Sequence, residues 1–336
     1  MVLFVFDWNK IVQKRKPHSL ITGGAGFIGS HLADVLLNRG HHVTVIDNLA
    51  TGTRKNILHL LEESHFEFVE GSISDGDLVT ELVGQADQIY HLAAAVGVKL
   101  VADDPVHTIE TNIYPTERLL SELAKSQNKG KCMFLASSSE VYGKHPGQQW
   151  SEEDDMVFGP TSKARWAYGC SKAIDEFLAL AYAEQYGVSV IVGRFFNVVG
   201  PRQVGHYGMV VPRFIEQALA GGPVVVYDDG QQIRCFAHVQ DIVRAVTELM
   251  STPAAQGEIF NIGSDTPVSI RSLAEEVVRR VGLEVVIKHI AYDKAYHRGF
   301  EDIRRRVPDL TKIRKMIGFE CEYSLAQTIE QMLPSQ

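Results

Sequence analysis

The sequence predicts an α/β protein, a doubly wound and mostly parallel sheet with a smaller C-terminal lobe, and three observations carry that expectation. From Ser19 onward, short apolar runs of strand length alternate with helix-like stretches. A glycine-rich turn separates the first run from the first helix. After Arg194 the alternation gives way to shorter elements punctuated by glycine and proline.

Taken in order, residues 20–22 read as a strand, 30–38 as a helix and 42–47 as a second strand, which is a βαβ unit. Strand-length runs follow at 66–69, 88–92, 132–136 and 189–194, with amphipathic helical stretches between them at 114–127 and 168–186. Repeated alternation of this kind implies a sheet covered by helices on both faces. The expected organisation is an N-terminal extension at 1–18, with the basic cluster Lys14-Arg15-Lys16, followed by a nucleotide-binding domain at 19–195 to which 234–262 return. Residues 196–233 and 263–336 then form the second lobe, with no internal repeat.

Composition narrows the function classes. The chain of 336 residues is 45% hydrophobic and 22% charged, ordinary for a globular protein. No window approaches the ~20 apolar residues that span a bilayer. The opening MVLFVF is short and has its basic residues after it, unlike a signal peptide, so a cytoplasmic location is expected. Cys132, Cys170, Cys235 and Cys321 are scattered, which favours buried thiols over disulfides or a metal site. A net charge of -8 argues against a nucleic-acid binder.

Gly23, Gly26 and Gly29 lie between a strand and a helix, where a dinucleotide pyrophosphate rests on the helix N-terminus. The second strand ends in Asp47, whose carboxylate suits the adenosine ribose and repels a 2′-phosphate. This is the Rossmann arrangement, and it favours NAD over NADP. Tyr168 and Lys172 stand four apart and share one face if the stretch is helical. A free phenol, with pKa near ~10, is a poor base at neutral pH. A nearby ammonium stabilises the phenolate and brings that value down. Ser137-Ser138-Ser139-Glu140 follow an apolar strand, so their side chains emerge where α/β sheets place their ligand crevice.

These residues resemble the extended short-chain dehydrogenase/reductase family, in particular its nucleotide-sugar epimerases, dehydratases and decarboxylases. The likeness runs from about Ser19 to near the C-terminus, with His91-Leu92-Ala93-Ala94, residues 137–143, Tyr168 to Lys172, residues 194–202 and residues 230–234 in family order. The resemblance implies catalytic roles for Ser138, Tyr168 and Lys172, with Glu140 beside them. It implies a cofactor site of Gly23, Gly26, Phe27, Ile28, Gly29, Asp47, Asn48, Ser72, Ile73, Leu92, Ala93, Ala94 and Asn112, together with Tyr168 and Lys172. Ser72 departs from the aspartate often found in relatives. For the sugar nucleotide it implies Ser138, Ser139, Asn197, Arg202 and Arg234.

The implied chemistry is transient oxidation at C4 of a UDP-linked sugar, with Tyr168 taking the hydroxyl proton. The pair Ser139-Glu140 lacks the aspartate that serves 4,6-dehydratases as acid, and it resembles UDP-glucuronate decarboxylases. Residues 299–308 resemble a decarboxylase segment with an arginine facing the substrate carboxylate, and by that match the arginine is Arg305. Decarboxylation of UDP-glucuronate and 4-epimerisation both remain open, as does a non-catalytic NAD-binding regulator. The family's usual assembly implies a homodimer through the helices around 114–127 and 168–186, whose Leu119, Leu120, Leu123, Phe177, Leu178 and Ala181 suit either an interface or the core.

Overall fold

A computed structural model describes residues 15–95, 104–205, 209–295 and 302–334. Most of the N-terminal extension, and the first three residues of the segment 299–308, lie outside them.

The central sheet forms from the runs that the apolar pattern marks. Its strands are β1 (His18–Thr22), β2 (His42–Asp47), β3 (Phe66–Glu70), β4 (Gln88–His91), β5 (Cys132–Ser138), β6 (Ser189–Phe195) and β11 (Ile259–Ile262). They lie in the order β11-β6-β5-β4-β1-β2-β3, and every neighbouring pair is parallel. Alternate residues face opposite sides of a strand. Ile21 and Val45 therefore enter one core layer and Leu20 and Ile46 the other. The first layer packs on α1 (Phe27–Asn38) and α6 (Val239–Met250). The second packs on α2 (Gly76–Gln85), α3 (Pro105–Ala124) and α4 (Ala167–Tyr186).

Helix α3 starts well before residue 114, where the sequence pattern places it. Asp104 caps its N-terminus by accepting from the His107 amide at 3.1 Å. Pro115 sits within the helix. Proline lacks an N–H and normally marks a break, which is why the pattern reads as a helix beginning there. Leu119, Leu120 and Leu123 are buried against the sheet, whereas Phe177 is 63% exposed.

The chain order changes direction between β1 and β4, so the C-terminal ends of these strands open a crevice. A second set of elements closes over it. Strands β12 (Pro267–Ser269), β9 (Ile233–Cys235) and β14 (Arg305–Arg306) form one small sheet, and β13 (Ile287–Ile290) pairs with β8 (Val224–Tyr227). Helices α5 (Val210–Leu219) and α7 (Ile270–Val281) enclose a core of Val211, Phe214, Leu273, Ala274 and Val277 beside them. Among the described residues no helix is long and apolar enough to cross a membrane.

Candidate active site

The crevice encloses about 770 Å³ and runs from the glycine turn to the second lobe. At one end Gly23 adopts φ +71° to close the turn. A Cβ on Gly29 would meet the Gly23 carbonyl oxygen at 2.4 Å, so only glycine lets α1 start so close to β1. Asp47 ends β2 and faces this cradle, accepting from the Ala25 amide at 3.0 Å and the Leu49 amide at 2.8 Å. Burial pushes its carboxyl up, and these amides draw it back towards the charged form. Asn48, Phe27, Ile28, Ser72, Ile73, Leu92, Ala93 and Ala94 line the same end, so the residues present fit a dinucleotide. Asn112 does not line it. It is fully buried, with Oδ1 accepting from the Ala95 amide at 2.8 Å and Nδ2 donating to Ser171 Oγ at 3.0 Å. Its contacts tie the segment after β4 to α4, so its direct contact with the cofactor is corrected to support from behind.

Midway along the crevice stand Ser138, at the end of β5, and Tyr168 and Lys172, one turn apart on the first turns of α4. Ser138 hydrogen-bonds the Tyr168 phenol. Burial holds that phenol above the ordinary tyrosine range, and the Glu140 carboxylate adds to the shift, against the pull of Ser138. The Lys172 ammonium, on the same face of α4, donates to Asp175 Oδ2 at 3.1 Å. Ser137 Oγ donates to Glu176.

Glu140 holds two cations. Arg165 grips it through both amino groups, at 2.6 and 3.1 Å, and Arg306 reaches Oε1 at 2.5 Å. Despite burial, these guanidiniums keep the carboxyl far below the usual carboxylate range. A carboxylate so held stays ionised and cannot serve as an acid. Next to it Arg234 pairs with Asp302 at 3.0 Å, and burial followed by the neighbouring Arg306 lowers its guanidinium to about 10.

Arg305 does not face the crevice, which corrects the expectation from the sequence. In β14, Arg305 is opposite Ile233 of β9 and Arg306 is opposite Arg234. Neighbours across a ladder point to the same face, so a shift of one residue moves a side chain to the other side of the sheet. Arg305 instead donates to the Gln148 carbonyl at 2.9 Å. Ser139, Asn197 and Arg202 line the crevice as expected. Asn197 Nδ2 donates to the Cys235 carbonyl at 2.8 Å, and Arg202 pairs with Asp34 of α1 at 2.8 Å.

The sequence matches the GDP-mannose 4,6 dehydratase family over residues 20–332. The chain belongs to this family of NAD-dependent nucleotide-sugar dehydratases, decarboxylases and epimerases. It is 42% identical over 319 residues to UDP-N-acetyl-alpha-D-glucosaminuronate decarboxylase of Bacillus cytotoxicus, covering 95% of this chain and 97% of that one. It is 36% identical over 308 residues to UDP-glucuronic acid decarboxylase 1 of Xenopus tropicalis, covering 92% of this chain and 69% of the relative. Its fold superposes with a TM-score of 0.84 on UDP-glucuronic acid 4-epimerase from Bacillus cereus in complex with UDP-glucuronic acid and NAD, at 28% identity, covering 94% and 97% of the two chains.

Family membership makes the chain an NAD-dependent nucleotide-sugar enzyme, with this crevice as its candidate active site. Among the crevice residues that sequence reasoning does not assign, Arg165 and Arg306 stand beside the catalytic pair. Arg165 lies three residues before Tyr168, on the short turn Ala164–Trp166 that leads into α4, and its reach back to Glu140 is a tertiary contact. Arg306 differs from Arg305 only in strand phase, which a lone two-residue strand does not reveal in sequence.

Proposed function

We propose that the protein decarboxylates a UDP-linked hexuronate, with UDP-glucuronate as the substrate, through a transient 4-keto sugar. The supporting observation is the arginine pair beside Tyr168. Arg165 and Arg306 converge on Glu140, and Arg306 lines the crevice there. Arg306 Nε has no hydrogen-bond partner among the described residues. A planar guanidinium with a free donor is suited to a carboxylate on the substrate.

Bound NAD supplies the hydride acceptor and later the donor. The chain's own residues do the rest. Tyr168 takes the C4 hydroxyl proton, Ser138 holds the reacting oxygen by a hydrogen bond, and Lys172 supplies the positive charge that makes the phenolate attainable. Arg306 fixes the carboxylate on C5, so that a ketone at C4 stands β to it and the C5 to C6 bond breaks with loss of CO2; the electron pair passes to the C4 oxygen as an enolate that Tyr168 protonates, and C5 takes a proton from solvent as the ketone re-forms and returns the proton to Tyr168. Asn197, Arg202 and Arg234 serve the diphosphate end. Glu140, ionised and held by both arginines, positions them and moves no proton.

A 4-epimerase acting on the same uronate is the second reading, favoured by the likeness to the Bacillus cereus enzyme. Incubation with UDP-glucuronate, its 2-acetamido counterpart and UDP-glucose, followed by NMR, separates the two. CO2 and a UDP-pentose from a uronate support decarboxylation. A UDP-uronate inverted at C4, with no CO2, overturns it. We further infer a homodimer through α3 and α4, on which Val106, Ile109, Ile174 and Phe177 are exposed. The free thiols of Cys132, Cys170, Cys235 and Cys321 suit the cytoplasm.

A further inference from the structure

Behind the catalytic pair lies a charged group that the steps above leave unused. Asp175 sits on α4 one turn beyond Lys172 and is fully buried. Its Oδ2 accepts from Lys172 Nζ at 3.1 Å, and its Oδ1 has no hydrogen-bond partner among the described residues. Lys172 is itself only 2% exposed.

The neighbours of Asp175 make Lys172 its counter-charge. From α4, Tyr168 and Glu176 also face it, the latter held by Arg194 in a bidentate pair, Nε to Oε1 at 3.0 Å and Nη2 to Oε2 at 2.7 Å. From α3 comes the Thr116 hydroxyl, which donates to the Asn112 carbonyl at 2.8 Å and borders the carboxylate. From β4 comes His91, whose protonation can be read from its bonds. The Thr116 hydroxyl proton goes to the Asn112 carbonyl, so His91 Nε2 donates to Thr116 at 3.0 Å, and Nδ1 of the neutral ring accepts from Thr22 at 2.8 Å. His91 is thus a neutral imidazole, and burial lowers it to about 3.

We propose that Asp175 is a positioning residue for the reaction, the standing counter-ion that keeps Lys172 charged and anchored at the floor of the crevice beside Tyr168. A lysine buried this deeply loses its proton readily when it has no partner, because the low-dielectric surroundings disfavour the ammonium. An uncharged Lys172 cannot stabilise the Tyr168 phenolate. The carboxylate also opposes that phenolate, and burial raises Asp175 while Lys172 draws it back. Asp175 therefore sets the pH range over which the pair works. This rests on the role proposed above for Tyr168 and Lys172.

The test reads Lys172 directly and needs no substrate. Protein carrying lysine labelled with ¹³C at the ε carbon is titrated by NMR with and without NAD, and the Lys172 signal is assigned from its loss in Lys172→Arg. In Asp175→Asn the Lys172 ammonium should lose its proton at a pH at least one unit lower than in the unaltered protein, a tenfold weaker hold. The alkaline limb of kcat should move down with it. Asp175→Glu, which keeps the charge, should titrate like the unaltered protein. An unmoved Lys172 titration in Asp175→Asn, with only a lower Tm, overturns the proposal, as does an equal shift in Asp175→Glu. A shifted Lys172 signal in a protein that leaves UDP-hexuronates untouched would retain this inference and reject the proposed function.

Discussion

Two guanidiniums converge on Glu140, and Arg306 is the one proposed to meet the substrate carboxylate. Removing Arg306 leaves Glu140 still gripped by Arg165, so Arg306→Ala should fold while losing the positive charge meant for the substrate. We expect kcat/KM for the uronate to fall by about 100-fold, close to 2.7 kcal/mol of transition-state binding. Arg305→Ala, which removes a bond to a surface carbonyl, should leave steady-state kinetics within about twofold. Equal losses in the two variants would contradict the assignment. At this scale the sequence was legible where a residue's role follows from local spacing. Tyr168, Lys172 and the glycines sit in one helix or one turn, so their relative placement is fixed by chain geometry alone. Arg165, Arg306 and Asn112 act through contacts between elements, and one position of strand phase separates Arg306 from Arg305.

The elements that carry the site depend on close approaches and on a few buried polar links. With the Gly23 carbonyl only 2.4 Å from a Cβ on Gly29, Gly29→Ala should push α1 off β1 and abolish NAD binding, as read by calorimetry. Tight binding by that variant would remove the glycine turn from the cofactor site. His91 links β1, β4 and α3 through Thr22 and Thr116. Its folded value of about 3 lies below the ~6.5 of an unfolded histidine, so between these limits the unfolded chain binds the extra proton. Its contribution to stability is complete above the upper limit and is lost as pH falls towards the lower one. The slope is about 1.4 kcal/mol per pH unit for one proton. Denaturant unfolding should show His91→Gln losing less stability than the unaltered protein between pH 6 and pH 4, and parallel losses would contradict this. Most strands of the central sheet were legible because each is a short apolar run buried on both faces, whereas β3, at the sheet edge, alternates phenylalanine with glutamate. The start of α3 was not, because Pro115 imitates a boundary while the cap that sets the helix, Asp104, lies nearly three turns upstream.

At the scale of the whole molecule, the order of β strands and helices was readable from alternation alone, and the crevice follows from the switch point between β1 and β4. What closes over it was less so, since the second lobe is built from two small sheets whose strands pair across long stretches of chain. The exposed apolar residues of α3 and α4 remain to be covered. Phe177→Glu should convert a dimer to a monomer by light scattering, and an unchanged mass would place any interface elsewhere. The central claim is that oxidation at C4 is transient and opens the way to loss of the carboxylate. UDP-glucuronate carrying deuterium at C4 tests it most directly. The account predicts CO2 and a UDP-pentose with the deuterium back on C4. Deuterium washed into solvent, or a product that keeps its carboxylate, would contradict it.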